Sequence, residues 1–218
     1  MTKLLHISAS PRSGHSQSIA LARMFIDALA EEDPGVVVEE WDLWDGHLPQ
    51  FGPASVEAKL RVFAGAAPEG PSAATWVDVS ATFERFAAAD AYLFSVPMWN
   101  HGVPYILKQF IDVVSQPEML FHFDPEAGYT GLLHGRSATV IYTSAVYGPD
   151  RGDEFGVDFQ MPYFGGWLRW AGIEVLEQLS YRPNLVVGEL DEPGRRAIGA
   201  AARRASQVLA DMHLQESA

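Results

Sequence analysis

The sequence predicts a doubly wound α/β sandwich, with one five-stranded parallel sheet and helices on both of its faces. Short apolar runs alternate along the chain with stretches in which apolar residues recur at helical spacing. One run, residues 91–96, is almost continuously apolar, which is typical of a parallel strand buried between two helical layers. A chain of 218 residues, 48% of them hydrophobic, can bury one substantial core, so we expect one domain over residues 1–218.

Five apolar runs predict the strands. In chain order they are residues 4–8, 36–42, 91–96, 137–143 and 173–179. The first run ends in small residues, the second starts with three valines, and the fourth reads SATVIYT. These assignments agree with the preference of β-branched and aromatic side chains for the pleated surface of a sheet.

Helices are predicted between the strands from apolar residues spaced three or four apart. In chain order they cover residues 19–29, 54–63, 79–88, 105–114, 165–171 and 198–212. Pro34 and Gly35 end the first helix, because neither residue continues a helix readily. Residues 65–74 (GAAPEGPSAA) are rich in Gly, Pro and Ala, and we expect them to form a mobile surface loop.

Charge and composition exclude several classes of function. With 15 Lys and Arg against 28 Asp and Glu, the net charge is -13, which repels nucleic-acid phosphates and anionic lipid. We therefore expect no nucleic-acid or membrane partner. The chain has no cysteine, and its seven histidines lack ligand spacing, so we expect neither a disulfide, a catalytic thiol nor a metal site. No signal-peptide pattern or long apolar run is present, which favours a cytoplasmic location.

The loop after the first strand, SASPRSGHSQS, is rich in groups that bind an anion. A helix N-terminus exposes unpaired N–H groups and attracts phosphate even in an acidic protein. Hydroxyl, amide and guanidinium donors add to it: Ser10, Arg12, Ser13, Ser16, Gln17 and Ser18. Neither a P-loop nor a G-x-G-x-x-G pattern is present, so nucleotide hydrolysis is not indicated. The alternative is that Ser16 only caps the helix and the rest is a polar turn.

The loop after the third strand, PMWNHGVP, is longer and stiffer than a simple connection requires. Met98 and Trp99 offer apolar surface to a ring system, and the Asn100 amide can bond its polar edge. The alternative is that Trp99 is a core aromatic and Asn100 a turn residue. In a doubly wound sheet both loops lie at the edge where ligands bind.

Taken together, SASPRSGHSQS and VPMWNHGVPYILKQFIDVV resemble the FMN-dependent NADH:quinone reductases known as azoreductases. The resemblance spans most of the chain, since MLFHF and GYTGLLHGRSATVI are also similar to segments of that family. It implies a flavodoxin-like sheet of order 2-1-3-4-5 and a tightly bound FMN. The implied cofactor residues are Ser10, Arg12, Ser16, Gln17 and Ser18 in the first loop, Pro97, Met98, Trp99, Asn100 and His101 in the second, and Ser144, Ala145, Val146, Tyr147 and Gly148 after the fourth strand.

The resemblance also implies a two-step reaction, in which NADH or NADPH reduces the flavin and a quinone or azo compound then takes two electrons from it. The flavin carries the chemistry, so no side chain need act as a nucleophile. Donors in residues 144–148 are expected to stabilise the charge of the reduced flavin. His101 either donates a proton or packs on the ring. No basic residue can be assigned to a 2′-phosphate, which favours NADH.

Phe121 and Phe123 either form a wall of the substrate cavity or mark a strand at the edge of the core. Related quinone reductases are dimers with shared active sites, and the aromatic segment 155–170 is the expected surface of a homodimer. Three alternatives remain open from the sequence. They are a flavodoxin-type electron carrier, an NADPH-dependent FMN reductase, whose S-x-R-x-x-S loop is similar, and a flavin-free interaction module.

Overall fold

A computed structural model describes residues 2–182 and 191–216, with residues 212–216 described by their backbone only. The described residues form seven strands: β1 (Lys3–Ser8), β2 (Val37–Asp42), β3 (Ala91–Pro97), β4 (Phe121–Asp124), β5 (Gly128–Gly131), β6 (Ser137–Thr143) and β7 (Glu174–Tyr181). Five of them form one parallel sheet in the order β2-β1-β3-β6-β7. Numbered within the sheet, this is the predicted order 2-1-3-4-5.

The remaining two strands, β4 and β5, are a correction to the predicted count of five. They pair with each other as an antiparallel hairpin outside the main sheet. Each has only four residues, too short for the alternation of apolar and polar residues to identify a strand reliably. The hairpin packs closely on the end of a helix: a Cβ added to Gly131 would lie 2.3 Å from the carbonyl carbon of Ala171.

The described residues also form six α-helices: α1 (Gln17–Glu32), α2 (Pro53–Phe63), α3 (Pro71–Ala87), α4 (Tyr105–Val114), α5 (Gln160–Trp170) and, after the last strand, α6 (Glu192–Glu216). The prediction of a loop over residues 65–74 is wrong from Pro71 onward, because this proline begins α3. Proline suits the first turn of a helix, where its missing N–H has no partner to lose. The Ser72 hydroxyl also bonds the Glu69 carbonyl at 2.7 Å. Met212, predicted to end the last apolar face, has a side chain outside the described residues.

Both faces of the sheet are covered, as a parallel sheet requires. On one face, α1 and α6 pack on the strands through residues such as Phe25 and Ala202. On the other, α3, α4 and α5 bury an aromatic core that includes Phe86, Phe110 and Phe164. Among the described residues, no helix has the length and apolar character needed to cross a membrane.

Candidate cofactor site

A cavity of about 470 Å³ opens at the carboxyl ends of β1, β3 and β6, within the size range of small-molecule sites. It lies beside the point where the strand order reverses, since β2 and β3 flank β1 on opposite sides. The lining residues come from three loops, from the first residue of α1 and from the ends of β3 and β6: Ser10, Arg12, His15, Ser16, Gln17, Pro97, Met98, Trp99, Thr143, Ser144 and Ala145.

The first loop is held together by contacts between residues close in sequence. It contains one turn of 3-10 helix, Ser13–His15, and then enters α1. The Ser16 hydroxyl accepts the Ile19 N–H at 3.4 Å and lies 3.0 Å from the hydroxyl of the fully buried Ser18. The N–H of Arg12 donates to Ser10 Oγ at 3.4 Å. These bonds direct the N-terminal end of α1 toward the cavity.

The second loop forms a rigid shelf beside the cavity. Trp99 and Gly102 exchange two backbone hydrogen bonds of 3.0 Å around a tight turn. The two residues between them, Asn100 and His101, have φ values of 47° and 70°. The N–H of Met98 donates to the carbonyl of Thr143 at 2.7 Å, which joins the shelf to the end of β6. Trp99 is 47% exposed and remains available to a ligand.

The third loop, residues 144–148, closes on itself and on the end of β7. The Ser144 hydroxyl donates to the carbonyl of Tyr147 at 2.6 Å, and the Ser144 N–H donates to the carbonyl of Tyr181 at 3.4 Å. Arg151 donates to the carbonyl of Val146 at 3.0 Å. The loop therefore has a defined shape at the side of the cavity opposite the first loop.

The chemistry of the lining changes from one end of the cavity to the other. Hydroxyls, an amide and the guanidinium of Arg12 lie at the first loop, and none of the eleven lining residues carries a carboxylate. At the shelf the lining is apolar, with Pro97, Met98 and Trp99. Such a donor set suits an anionic group such as a phosphate, and the shelf suits a flat ring. The residues present therefore fit FMN.

Comparison with known proteins supports this assignment. A family model for the flavodoxin-like fold matches residues 2–208. The chain belongs to this family. It is 41% identical to the FMN-dependent NADH:quinone oxidoreductase of Ruegeria pomeroyi, over 92% of this chain and 98% of that protein. The protein of the same name from Desulfotalea psychrophila is 38% identical over 93% of both chains.

Solved structures confirm the fold. An FMN-dependent NADH-azoreductase from Bacillus anthracis, in complex with FMN, has a TM-score of 0.80 and covers 94% of this chain and 100% of that one. At 22% identity this similarity concerns the fold alone. The predicted family resemblance is confirmed by the family model and by the more similar relatives.

Nine of the fifteen predicted cofactor residues of this flavodoxin-like protein line the cavity. The six that do not are Ser18, Asn100, His101, Val146, Tyr147 and Gly148. Ser18 lies behind Ser16 and supports it. The other five belong to the turn of the shelf and to the third loop, which together shape the apolar end of the cavity, called the ring end below. Their roles toward the cofactor stay predictions.

The prediction from the sequence missed two residues that line the cavity. His15 lies inside the predicted anion loop, so its position was a usable signal. Thr143 ends β6, and the rule that ligands bind at the carboxyl ends of strands could have identified it. In the described part of the chain, no three His, Asp or Glu side chains form a metal-binding group.

His101 holds a neighbouring segment against the shelf. Its Nδ1 accepts the Val157 N–H at 3.0 Å, and its carbonyl accepts the Phe159 N–H at 3.0 Å. Because Nδ1 accepts a hydrogen bond, the neutral ring carries its proton on Nε2. A proton-donor role for His101, which stays a prediction, would therefore use Nε2.

Phe121 and Phe123 do not line the cavity of their own chain. They belong to the hairpin of β4 and β5, where Phe121 packs on Trp170 and Phe123 packs on Tyr129. The strand alternative for these two residues is therefore what the structure contains. Their contact with substrate stays a prediction.

A buried histidine lies beneath the first loop. His6 on β1 is 2% exposed, and its Nε2 lies 2.7 Å from the hydroxyl of Ser95 on β3. Burial lowers the pKa of His6 to about 4, and the nearby positive charge of Arg23 acts in the same direction. The ring is therefore neutral at pH 7 and joins two central strands just below the site.

Proposed function

We propose that this chain is an FMN-dependent NADH:quinone oxidoreductase that also reduces azo compounds. The observation that carries the proposal is the two-ended cavity at the carboxyl edge of the sheet, with anion donors at the first loop and an apolar shelf at Trp99. The named function of relatives up to 41% identical over most of the chain supports it. The preference for NADH over NADPH rests on those names and on the absence of an assignable basic residue for a 2′-phosphate.

The protein residues bind and orient, and the cofactor supplies the redox chemistry. When bound, FMN would supply hydride acceptance from the nicotinamide and two-electron reduction of the acceptor. Ser10, Ser16 and Gln17 would hold the phosphate with hydrogen bonds to a charged group, each contributing roughly 1.5–3 kcal/mol. Trp99 would hold the ring in the plane of the shelf. Because the Ser144 N–H and hydroxyl bond the carbonyls of Tyr181 and Tyr147, the other N–H groups of residues 144–148 would face the ring edge and stabilise negative charge there.

Cofactor identification tests the proposal directly. The purified full-length protein is expected to be yellow, and denaturation is expected to release FMN in a ratio near one per chain. Steady-state oxidation of NADH with a quinone should then exceed the rate without acceptor by orders of magnitude. A protein that neither retains nor takes up FMN would overturn the assignment. A protein that binds FMN but oxidises NADH hardly at all would instead be an electron carrier.

We further propose that the protein is a homodimer. Aromatic side chains around the ring end of the cavity are exposed in the single chain, and soluble monomers seldom expose a large contiguous apolar patch. Phe159 is 63% exposed and Tyr105 is 70% exposed. The other exposed apolar residues of this surface are Trp99, Val146, Phe155, Val157 and Tyr163. The expected segment 155–170 contributes three of these residues in addition to Phe159.

A second copy would also give Phe121 and Phe123 a place in the site. The hairpin that carries them also carries Tyr129, and the neighbouring helix α2 carries Phe63. Both of these residues are exposed, and both of their rings contact Phe123. Neither ring lines the cavity of its own chain, and we propose that Phe123 completes the acceptor site of the partner, with the buried Phe121 supporting it from within the same aromatic cluster. Replacement of Phe123 by Ala is then expected to raise the quinone KM without changing FMN affinity.

Light scattering after size exclusion tests the dimer. Phe159→Glu places a charge in the proposed interface and is expected to shift the protein toward monomer. The matched control is Val77→Glu on α3, since Val77 is 67% exposed and lies on another surface. A wild-type protein that is monomeric at micromolar concentration would contradict the dimer, as would a Phe159→Glu variant that dimerises normally.

For a protein that uses NADH we propose a cytoplasmic location.

A further inference from the structure

Arg182 follows the last strand of the sheet, and its charged side chain lies almost wholly inside the protein. Only 5% of the side chain is exposed. A buried guanidinium is costly unless hydrogen bonds and an opposite charge compensate for the loss of water. Its contacts therefore indicate what the protein gains by keeping it there.

Three contacts hold the guanidinium. Nη2 donates to Oδ2 of Asp158 at 3.1 Å, and Nε donates to the hydroxyl of Ser180 at 2.6 Å. The guanidinium carbon lies 4.7 Å from the centre of the Tyr147 ring, a cation–π distance. The remaining nitrogen, Nη1, is buried and has no hydrogen-bond partner among the described residues. Arg182 thus joins the end of β7 to residues from two other segments.

Both partners of Arg182 connect to the ring end of the cavity. The carbonyl of Tyr147 accepts the hydroxyl of Ser144, which lines the cavity. The other carboxylate oxygen of Asp158 accepts the N–H groups of Gln160 and Met161 at the start of α5, at 2.8 Å and 3.0 Å.

The residue after Asp158 extends the connection to the shelf. The N–H of Phe159 bonds the carbonyl of His101 within the turn that carries Trp99. One buried cation therefore connects the third loop and the shelf.

We propose that Arg182 is a positioning residue for the ring end of the cofactor site. It fixes the Tyr147 ring and the Asp158 carboxylate, and through them the shape of residues 144–148 and of the shelf. Its buried positive charge also lies directly behind the loop that faces the ring edge, where it favours added negative charge. The identity of the ligand as FMN rests on the proposed function, whereas the fixing of the loop does not.

The test compares Arg182→Met with Arg182→Lys in the full-length protein. The Met variant removes the charge at similar volume, and the Lys variant keeps the charge without the planar fork. We expect Arg182→Met to speed amide exchange of residues 144–148 in the FMN-free protein and to weaken FMN binding about tenfold. The midpoint potential of bound FMN should become more negative, and Lys should restore the potential more fully than the exchange rates. Arg204→Met, which removes an exposed arginine near β7, is the control.

A double-mutant cycle with Tyr147→Leu separates positioning from a general loss of stability. If Arg182 acts through Tyr147, its replacement should change the exchange of residues 144–148 much less in the Tyr147→Leu background. Unchanged exchange and unchanged potential in a folded Arg182→Met protein would overturn the proposal, as would fully additive effects. If Arg182→Met does not fold, the same double-mutant cycle is measured with Arg182→Lys in place of Arg182→Met. A wild-type protein without FMN affinity would refute the proposed function, but amide exchange in the FMN-free protein would still test the positioning role of Arg182.

Discussion

The two ends of the cofactor cavity are built in different ways. The end at the first loop, where we propose that the phosphate binds, is local: Ser16 bonds both Ser18 and Ile19, within three positions of the chain. The ring end is assembled over long distances, since Gln160 bonds the carbonyl of Val96 and His101 bonds the N–H of Val157. A local loop keeps its shape when the rest of the protein loosens, whereas the ring end depends on the packing of α5 and β7. Four experiments test this difference.

The largest effect, on the free energy of unfolding, is expected from His6, whose long-range contact with Ser95 lies beneath the first loop. The pKa of its ring is about 4 in the folded protein and near 6.5 when unfolded, so the unfolded chain binds more protons between these values. Stability contributed by the neutral ring is present above pH 6.5 and is lost as pH falls toward 4, by about 3 kcal/mol. Urea unfolding at pH 7, 5 and 4 measures it.

His6→Gln should remove that part of the pH dependence while keeping a side chain that can bond Ser95. Replacement of the exposed His47 by Gln is the control and should leave the dependence unchanged. Equal slopes of stability against pH in wild type and His6→Gln would contradict the burial of a neutral His6.

Gln160→Leu should weaken the ring end. The buried Nε2 of Gln160 donates to the carbonyl of Val96 at 2.9 Å, and leucine would remove this bond between α5 and β3. We expect a loss of about 1.5 kcal/mol in the free energy of unfolding, together with weaker FMN binding. Gln109→Leu, which removes a similar bond to Pro49 at a half-buried position, should cost less. If the two variants behave alike, the ring end is less dependent on α5 than we infer.

Ser16→Ala tests the local end. The hydroxyl caps α1, and its loss should lower stability by about 1 kcal/mol and FMN affinity about tenfold. Ser72→Ala, at the start of α3, removes another buried hydroxyl that bonds the backbone before a helix. That control should lose similar stability with no change in FMN affinity. Normal FMN affinity in Ser16→Ala would show that Ser16 serves as a cap only.

The smallest effect is expected from His101→Phe. The variant loses the acceptor for the Val157 N–H, so amide exchange at Val157 should become faster. Because the bond lies at an exposed position, we expect a loss of only about 0.5 kcal/mol and an FMN affinity within roughly threefold of wild type. His47→Phe is the control for adding an aromatic ring at the surface. Unchanged exchange at Val157 would mean that this bond does not hold the segment.

The accuracy of the sequence-based predictions follows the same division between local and distant contacts. The buried strand at Ala91 and the helix at Tyr105 were predicted within one residue of their bounds, because both patterns depend only on neighbouring residues. The hairpin at Phe121 was not, because its alternation of apolar residues is too short to differ from a core edge. The start of the helix at Pro71 was not predicted, because the Gly- and Pro-rich composition around it usually indicates a loop.

The sequence by itself determined the first loop, because the hydroxyls of Ser16 and Ser18, the amide of Gln17 and the start of α1 are neighbours in the chain, and Ser16 bonds both Ser18 and Ile19. It also determined the apolar strands, because burial between two helical layers requires continuous apolar runs. Only the tertiary structure decided that Arg182 lies behind Tyr147 and that His6 lies against Ser95. These partners are 35 and 89 positions apart, and only packing of the folded chain brings such distant groups together.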